Sequence, residues 1–117
     1  MMTLHLTGGQ HAAALAPIHA RLDRAMAAIR DLEADRDTRI RRAEDTAVAA
    51  IGTLSKHGGS WSTAAREAAA ARILTDASAA ISRAHTRYAV DSLPARQAAE
   101  RARAGRDRLT TLVGGTR

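Results

Sequence analysis

Glu33, Asp35, Asp37 and Glu44 fall at positions 1, 3, 5 and 12 of the spacing with which a calcium loop wraps its ion, and Ile40 takes the apolar position 8. Such a loop needs a glycine at its sharp turn, where Thr38 stands, and normally opens on Asp, where Glu33 stands. The same residues read more simply as a solvated helix face with acid-to-base pairs four residues apart, Asp35 to Arg39 and Asp37 to Arg41. The five histidines, His5, His11, His19, His57 and His85, include no two at the spacing of three or four that puts a pair of metal ligands on one helix face. The chain has no Cys, so thiolate ligation and disulfides are excluded.

Ser55, His57 and Ser60 gather a hydroxyl, an imidazole and a second hydroxyl in six residues. No carboxylate is placed to orient the histidine, and no oxyanion donor can be named, so the trio lacks the rest of a hydrolase. KHGGS, residues 56–60, has its Lys ahead of the glycines and no strand leading in, the reverse of a phosphate-binding loop. The chemistry-bearing residues therefore predict no enzyme, no cofactor and no metal centre.

The elements that would carry these residues are helices. Of the apolar residues 29 are Ala, against 10 Leu, 6 Ile, 3 Val, 3 Met, one Trp and one Tyr. Ala is the strongest helix former, and β-branched and aromatic residues never cluster as strand runs do. Alanine also removes little apolar surface when buried, so thin seams between helices are expected in place of a thick core.

From residue 15 the apolar stations Leu15, Ile18, Leu22, Ala25, Ile29 and Leu32 follow a three-four spacing, continued by Arg36, Ile40, Ala43, Ala47, Ile51 and Leu54. That pattern predicts a long first helix, with Pro17 in its first turn. Residues 1–14 are expected to form an extended or flexible arm, set off by Gly8 and Gly9. Gly58 and Gly59 predict a bend at 55–60, with Ser60 or Ser62 capping the next helix. The second seam is expected along Trp61, Ala64, Ala68, Ala71, Leu74, Ala77, Ile81, Ala84 and Tyr88, which makes residues 15–93 an antiparallel hairpin resembling a coiled coil. Trp61 is expected to close the mouth of that hairpin, its alternative role being presentation to a partner. Asp91, Ser92 and Pro94 predict a fresh helix start, so that 94–117 form a basic amphipathic helix, ended by Gly114 and Gly115, and a short tail, the helix face carrying Ala98, Ala102, Leu109, Leu112 and Val113.

The net charge of +6 is concentrated at the C-terminal end: residues 94–117 hold six Arg against two acids, while residues 1–54 hold seven of each. Arg96, Arg101, Arg103, Arg106 and Arg108 could contact a nucleic-acid backbone by charge. Two sequence resemblances bear on function. ASAAISRA, residues 77–84, resembles the recognition helix of helix-turn-helix repressors, but ARILTD before it lacks the turn glycine and one unbroken helix is the simpler reading. A hairpin of this layout with Trp61 at its bend resembles the WXG-type substrates and partners of type VII secretion. Thr63 stands where that family has Gly, and Tyr88 and Asp91 are three residues apart where its secretion signal needs four.

Together these features predict an all-α, non-enzymatic protein-protein interaction module, a subunit, adaptor or scaffold of a larger assembly such as a phage or other particle. Its packing or interface residues are expected to be Leu22, Ile29, Leu32, Ile51, Trp61, Leu74, Ile81, Leu109, Leu112 and Val113, with a protein partner or a second copy completing the apolar faces. Nucleic-acid binding through the five arginines is the alternative. The start has neither a basic segment nor a continuous apolar run, and no stretch is long and apolar enough to span a bilayer, so a cytoplasmic or particle location is expected.

Overall fold

The computed structural model describes residues 7–112, and it is all-α: α1 Gly8–His57, α2 Thr63–Asp91 and α3 Leu93–Leu112. The second half of the expected N-terminal arm, from Gly8 on, is helix. Thr7 and Gln10 form a reciprocal capping box, the Gln10 N–H donating to Thr7 Oγ1 at 3.1 Å and the Thr7 N–H donating to Gln10 Oε1 at 2.9 Å. This cap lets Gly8 and Gly9 occupy the first turn of α1 instead of ending an arm. Pro17, expected in a first turn, lies inside α1, which forgoes the bond its N–H would give to the Ala13 carbonyl. Met1–Leu6 and Val113–Arg117 lie outside the described residues.

The chain divides into two compact units, Leu32–Val90 and Met1–Asp31 with Asp91–Arg117. The unit Leu32–Val90 is the antiparallel hairpin of α1 and α2. At one end the Arg36 guanidinium lies 4.5 Å from the centre of the Tyr88 ring. At the other, the Gly58 N–H bonds the Leu54 carbonyl at 2.8 Å, the Trp61 N–H bonds the Gly58 carbonyl at 3.0 Å, and Ser62 Oγ caps α2 through the Ala65 N–H at 3.1 Å. Gly58 is buried, and a Cβ there would stand 2.6 Å from the Leu54 carbonyl oxygen. Neither Gly58 nor Gly59 has a left-handed φ, so Gly58 serves by its missing side chain and not by conformational freedom.

The seam of the hairpin is narrow. Ile40, Ala43, Ala47, Ala50, Ile51 and Leu54 of α1 are half-buried, as are Ala69, Ala70, Ile73, Ala77, Ala80, Ile81 and Tyr88 of α2, and Ala84 is fully buried. Alanine on both sides lets the two backbones come close, which is why the branched residues reach only partial burial.

In the other unit, α3 packs antiparallel to the Gly8–Asp31 part of α1. Ala25, Ala99 and Ala102 are buried, and Arg103 Nη2 lies 3.3 Å from Met26 Sδ. Gly105 faces Ile18, whose Cδ1 would be 4.0 Å from a methyl placed there. Ser92 is the largest fully buried side chain; its carbonyl takes the Arg96 N–H at 2.9 Å and its Oγ takes Arg96 Nε at 3.0 Å, starting α3 as Asp91, Ser92 and Pro94 predict. The fully enclosed apolar core is thus a handful of alanine methyls, each worth about 0.8 kcal/mol, and most of the burial is partial.

Candidate protein-contact surface

With so little enclosed, large apolar side chains stand in solvent, and within the hairpin unit they mark two faces. On the first, α1 and α2 leave a shallow groove beside the seam. Ala43, Ala47, Ala50, Ile73, Ala77 and Ala80 line it, and Arg39, Arg42, Arg83 and Arg87 surround one end with Asp76 between the arginines and the bend. That part measures about 700 Å³. Sharing Ala50 and Ile73, a second part of about 660 Å³ runs on to the bend, where Trp61, His57, Leu54 and Arg72 line it. The helical spacing explains the lining: Arg39, Thr46, Ala50, Thr53 and His57 recur at steps of three, four and seven along α1, and Arg72, Asp76, Arg83 and Arg87 do the same along α2.

Trp61 is 49% exposed at the end of this groove. It was expected as the buried anchor of the hairpin mouth, but α2 begins at Thr63, so the Trp rides on the bend and not on the seam, and Gly58 fills the tight space. Leu74 departs from its expected place in the same way. It is 60% exposed, because the seam passes through its neighbour Ile73.

The opposite face carries Val48, 72% exposed, and Leu74, and a smaller depression lined by Ile51, Leu54, Ser55, Thr63, Arg66, Glu67 and Ala70. Glu44, Val48, Ile51 and Ser55 follow one another at steps of four, three and four, and so share that stripe of α1. Ser55 therefore lines one face and His57 the other, so the structure does not assemble the hydroxyl and imidazole of the bend.

Acidic residues of α1 are held by neighbouring arginines. Asp35 Oδ2 accepts from Arg39 Nε at 2.9 Å; that hydrogen bond first, and then the charges of Arg39, Arg87 and Arg42, hold the Asp35 carboxyl below its usual 3.8. Asp37 takes Arg36 at 3.0 Å instead of the expected Arg41. Glu33, Asp35, Asp37 and Glu44 lie along unbroken helix, which cannot wrap an ion as a loop does, and no metal-holding group of three or more His, Asp or Glu occurs among the described residues.

In the other unit Leu22, Ile29 and Leu109 are half-buried, as is Leu32 at the start of the hairpin unit, whereas Leu112, the last residue of α3, is 65% exposed. Val113 lies outside the described residues. The five arginines of the nucleic-acid reading separate. Arg101 and Arg108 join Arg21 and Arg24 of α1 along a cleft of about 650 Å³ whose lining includes no acid. Arg96 is engaged with Ser92, Arg103 with Met26, and Arg106 with Asp107 at 3.3 Å. Arg21 and Arg24 were not singled out in the sequence; their spacing of three on α1 was the available signal. No described helix is long and apolar enough to cross a membrane.

Compared with known proteins, the chain matches no family model, no curated protein and no solved structure.

Proposed function

We propose that the chain is a non-enzymatic helical protein-contact module, a subunit, adaptor or scaffold of a larger assembly, and that the groove of the hairpin unit is its contact surface. The observation that carries this reading is the groove itself. It is an apolar channel of small side chains, open along its length, with a half-exposed Trp at one end and arginines at the other. Small side chains let a partner helix approach closely, the Trp supplies an anchor of the kind that dominates protein interfaces, and a charged rim selects orientation. The test is sedimentation of the wild type and of a groove variant, Trp61→Ala with Arg42→Glu and Arg83→Glu, at low and high salt. All three side chains are exposed, so the variant keeps its helix content. Assembly that the variant loses supports the reading, and assembly that it retains refutes the groove as the contact surface. A wild type that is monomeric throughout assigns the groove to a different protein, whose binding the variant must then lose.

A second reading, nucleic-acid binding, is favoured by the cleft where Arg21, Arg24, Arg101 and Arg108 meet without an acid. With a single Trp and a single Tyr, stacking on bases has little to work with, so contact would be to duplex phosphates and would weaken steeply with salt. Changing those four arginines to Gln must abolish any such affinity. Affinity that survives the change removes this reading.

A further inference from the structure

We propose that the occupant of the groove is a second copy of this chain, which seats the opposite face of its own hairpin unit there, the two hairpins lying side by side and pointing the same way. The inference rests on the groove being a protein-contact surface and goes further by naming the partner.

Charge is the first argument. The groove is lined by Arg39, Arg42, Arg72, Arg83 and Arg87 against Asp76, and Asp35 at its end is paired with Arg39, so the arginines remain in excess. Along the opposite face, Asp37, Arg41, Glu44 and Val48 recur at steps of four, three and four on α1, and α2 adds Glu67 and Arg66. Asp37 is paired with Arg36 at 3.0 Å, which leaves Glu44 and Glu67 beside Arg41 and Arg66. The Arg66 side chain turns toward Gly58, its Cδ 3.4 Å from where a Cβ on that glycine would be, so this face lacks the positive excess of the groove and presents Glu44 and Glu67 outward. Pairing groove with groove, whichever way the copies point, would bring together two surfaces with arginine in excess, and pairing face with face would leave those arginines without the acids Glu44 and Glu67. Only the unlike faces attract.

Register is the second argument. The Arg36–Tyr88 contact at one end of the hairpin and the Gly58–Arg66 contact at the other fix which residues of α1 and α2 lie level. In that register Asp37 and Glu44 lie level with the cluster of Arg39, Arg42, Arg83 and Arg87. Val48 and Leu74, the two most exposed apolar side chains of the hairpin apart from Val90, lie level with Ala47, Ala50 and Ile73 of the groove. Glu67 falls about 8 Å along the axis from Arg72, within reach of two long side chains. A copy displaced sideways without rotation therefore brings acids to arginines and apolar knobs to the small-residue floor at once.

Such a contact uses two different patches related by a translation, so copies add in an open row instead of stopping at a twofold dimer. The test uses the full chain, the groove variant above, and a face variant, Val48→Asn with Leu74→Asn, both sites being exposed. Sedimentation of the wild type is expected to show mass rising with concentration beyond a dimer, and each variant alone is expected to associate at least about tenfold more weakly. Mixed in equal amounts, the variants are expected to form a 1:1 heterodimer and nothing larger, because one keeps an intact face and the other an intact groove. A wild type monomeric at all concentrations, a twofold dimer that the mixture fails to restore, or a face variant that assembles like wild type would each overturn the inference. Loss in the groove variant alone leaves the groove as a contact surface and removes only the second copy as its occupant, whereas a groove variant that assembles like wild type removes both.

Discussion

Replacing Gly58 by Ala is expected to destabilise the hairpin while the same change at Gly59 does not. A Cβ on Gly58 would meet the Leu54 carbonyl oxygen at 2.6 Å and Leu54 Cδ1 at 3.2 Å, while one on Gly59 would meet nothing within 4 Å. Contacts of a Cβ below 3.0 Å are essentially never seen, so the bend must open by at least 0.4 Å at Gly58. Opening stretches the Gly58 N–H bond to the same carbonyl, now 2.8 Å. Losing that bond costs about 0.5 to 1.5 kcal/mol, and the accompanying angle distortion costs about 1 kcal/mol more. At Gly59 the backbone is already one an L-residue adopts, so Ala there is expected to stabilise by about 0.4 to 1 kcal/mol through the unfolded chain. That gain is common to both substitutions and cancels, so the two variants should differ by about 1.5 to 2.5 kcal/mol, a separation of roughly 6 °C or more in midpoint for a domain of this size. Thermal melts followed by circular dichroism at one protein concentration, so that association does not shift the midpoint, provide the assay. Equal midpoints for the two variants would refute the claim that close packing, and not backbone freedom, demands glycine at the bend.

Trp61, half-exposed, is expected to fluoresce as a solvated indole and to be quenched by iodide, and Trp61→Ala is expected to cost no more than about 1 kcal/mol of stability. A quencher-resistant Trp in the isolated monomer would contradict its placement. The Asp35 carboxyl is expected to titrate below 3.8 and to move back toward it in Arg39→Gln, as followed by NMR. Because its folded value is lowered, the stabilisation it contributes is present above the ordinary value and fades as pH falls through the lower folded one. Tyr88→Leu is expected to lose about 0.5 to 1 kcal/mol only where Arg36 is present, a coupling that a double-mutant cycle with Arg36→Gln measures. Thr7→Ala should cost about 1 kcal/mol and release exchange protection in the first turn of α1, since it removes half of the capping box.

Periodicity reads well where large and small residues alternate with one choice of register. In α1 the stations Ile40, Ala43, Ala47, Ile51 and Leu54 are half-buried, because exposed polar residues separate most of them. At the start of α2 the sequence AAREAAAARIL offers Ala at Ala64 and Ala65, at Ala68 through Ala71, and then Ile73 beside Leu74. A helix can turn by one residue there with almost no change in apolar content, so the spacing could not distinguish Leu74 from Ile73. The start of α1 is legible in the sequence, since Thr7 and Gln10 have the spacing of a capping box. The clefts were not legible, since each depends on which flanks of two helices meet. Arg101 and Arg108 meet Arg21 and Arg24 only once α3 and α1 are paired.

The poverty of the core and the exposure of the surface have one cause. Two helices whose facing stations are Ala approach so closely that a branched side chain at the edge of the seam has no interior to enter. Ile73 and Ile51 reach half burial, while Leu74, one position from Ile73, and Val48, three positions from Ile51, stay in water. Replacing Ala47 or Ala80 by Leu would push the helices apart and enclose more apolar surface, at the expense of the groove floor. Small side chains in the seam therefore favour a surface for contact over the stability of the isolated chain, which is the balance expected of a subunit that completes its apolar burial against a neighbour.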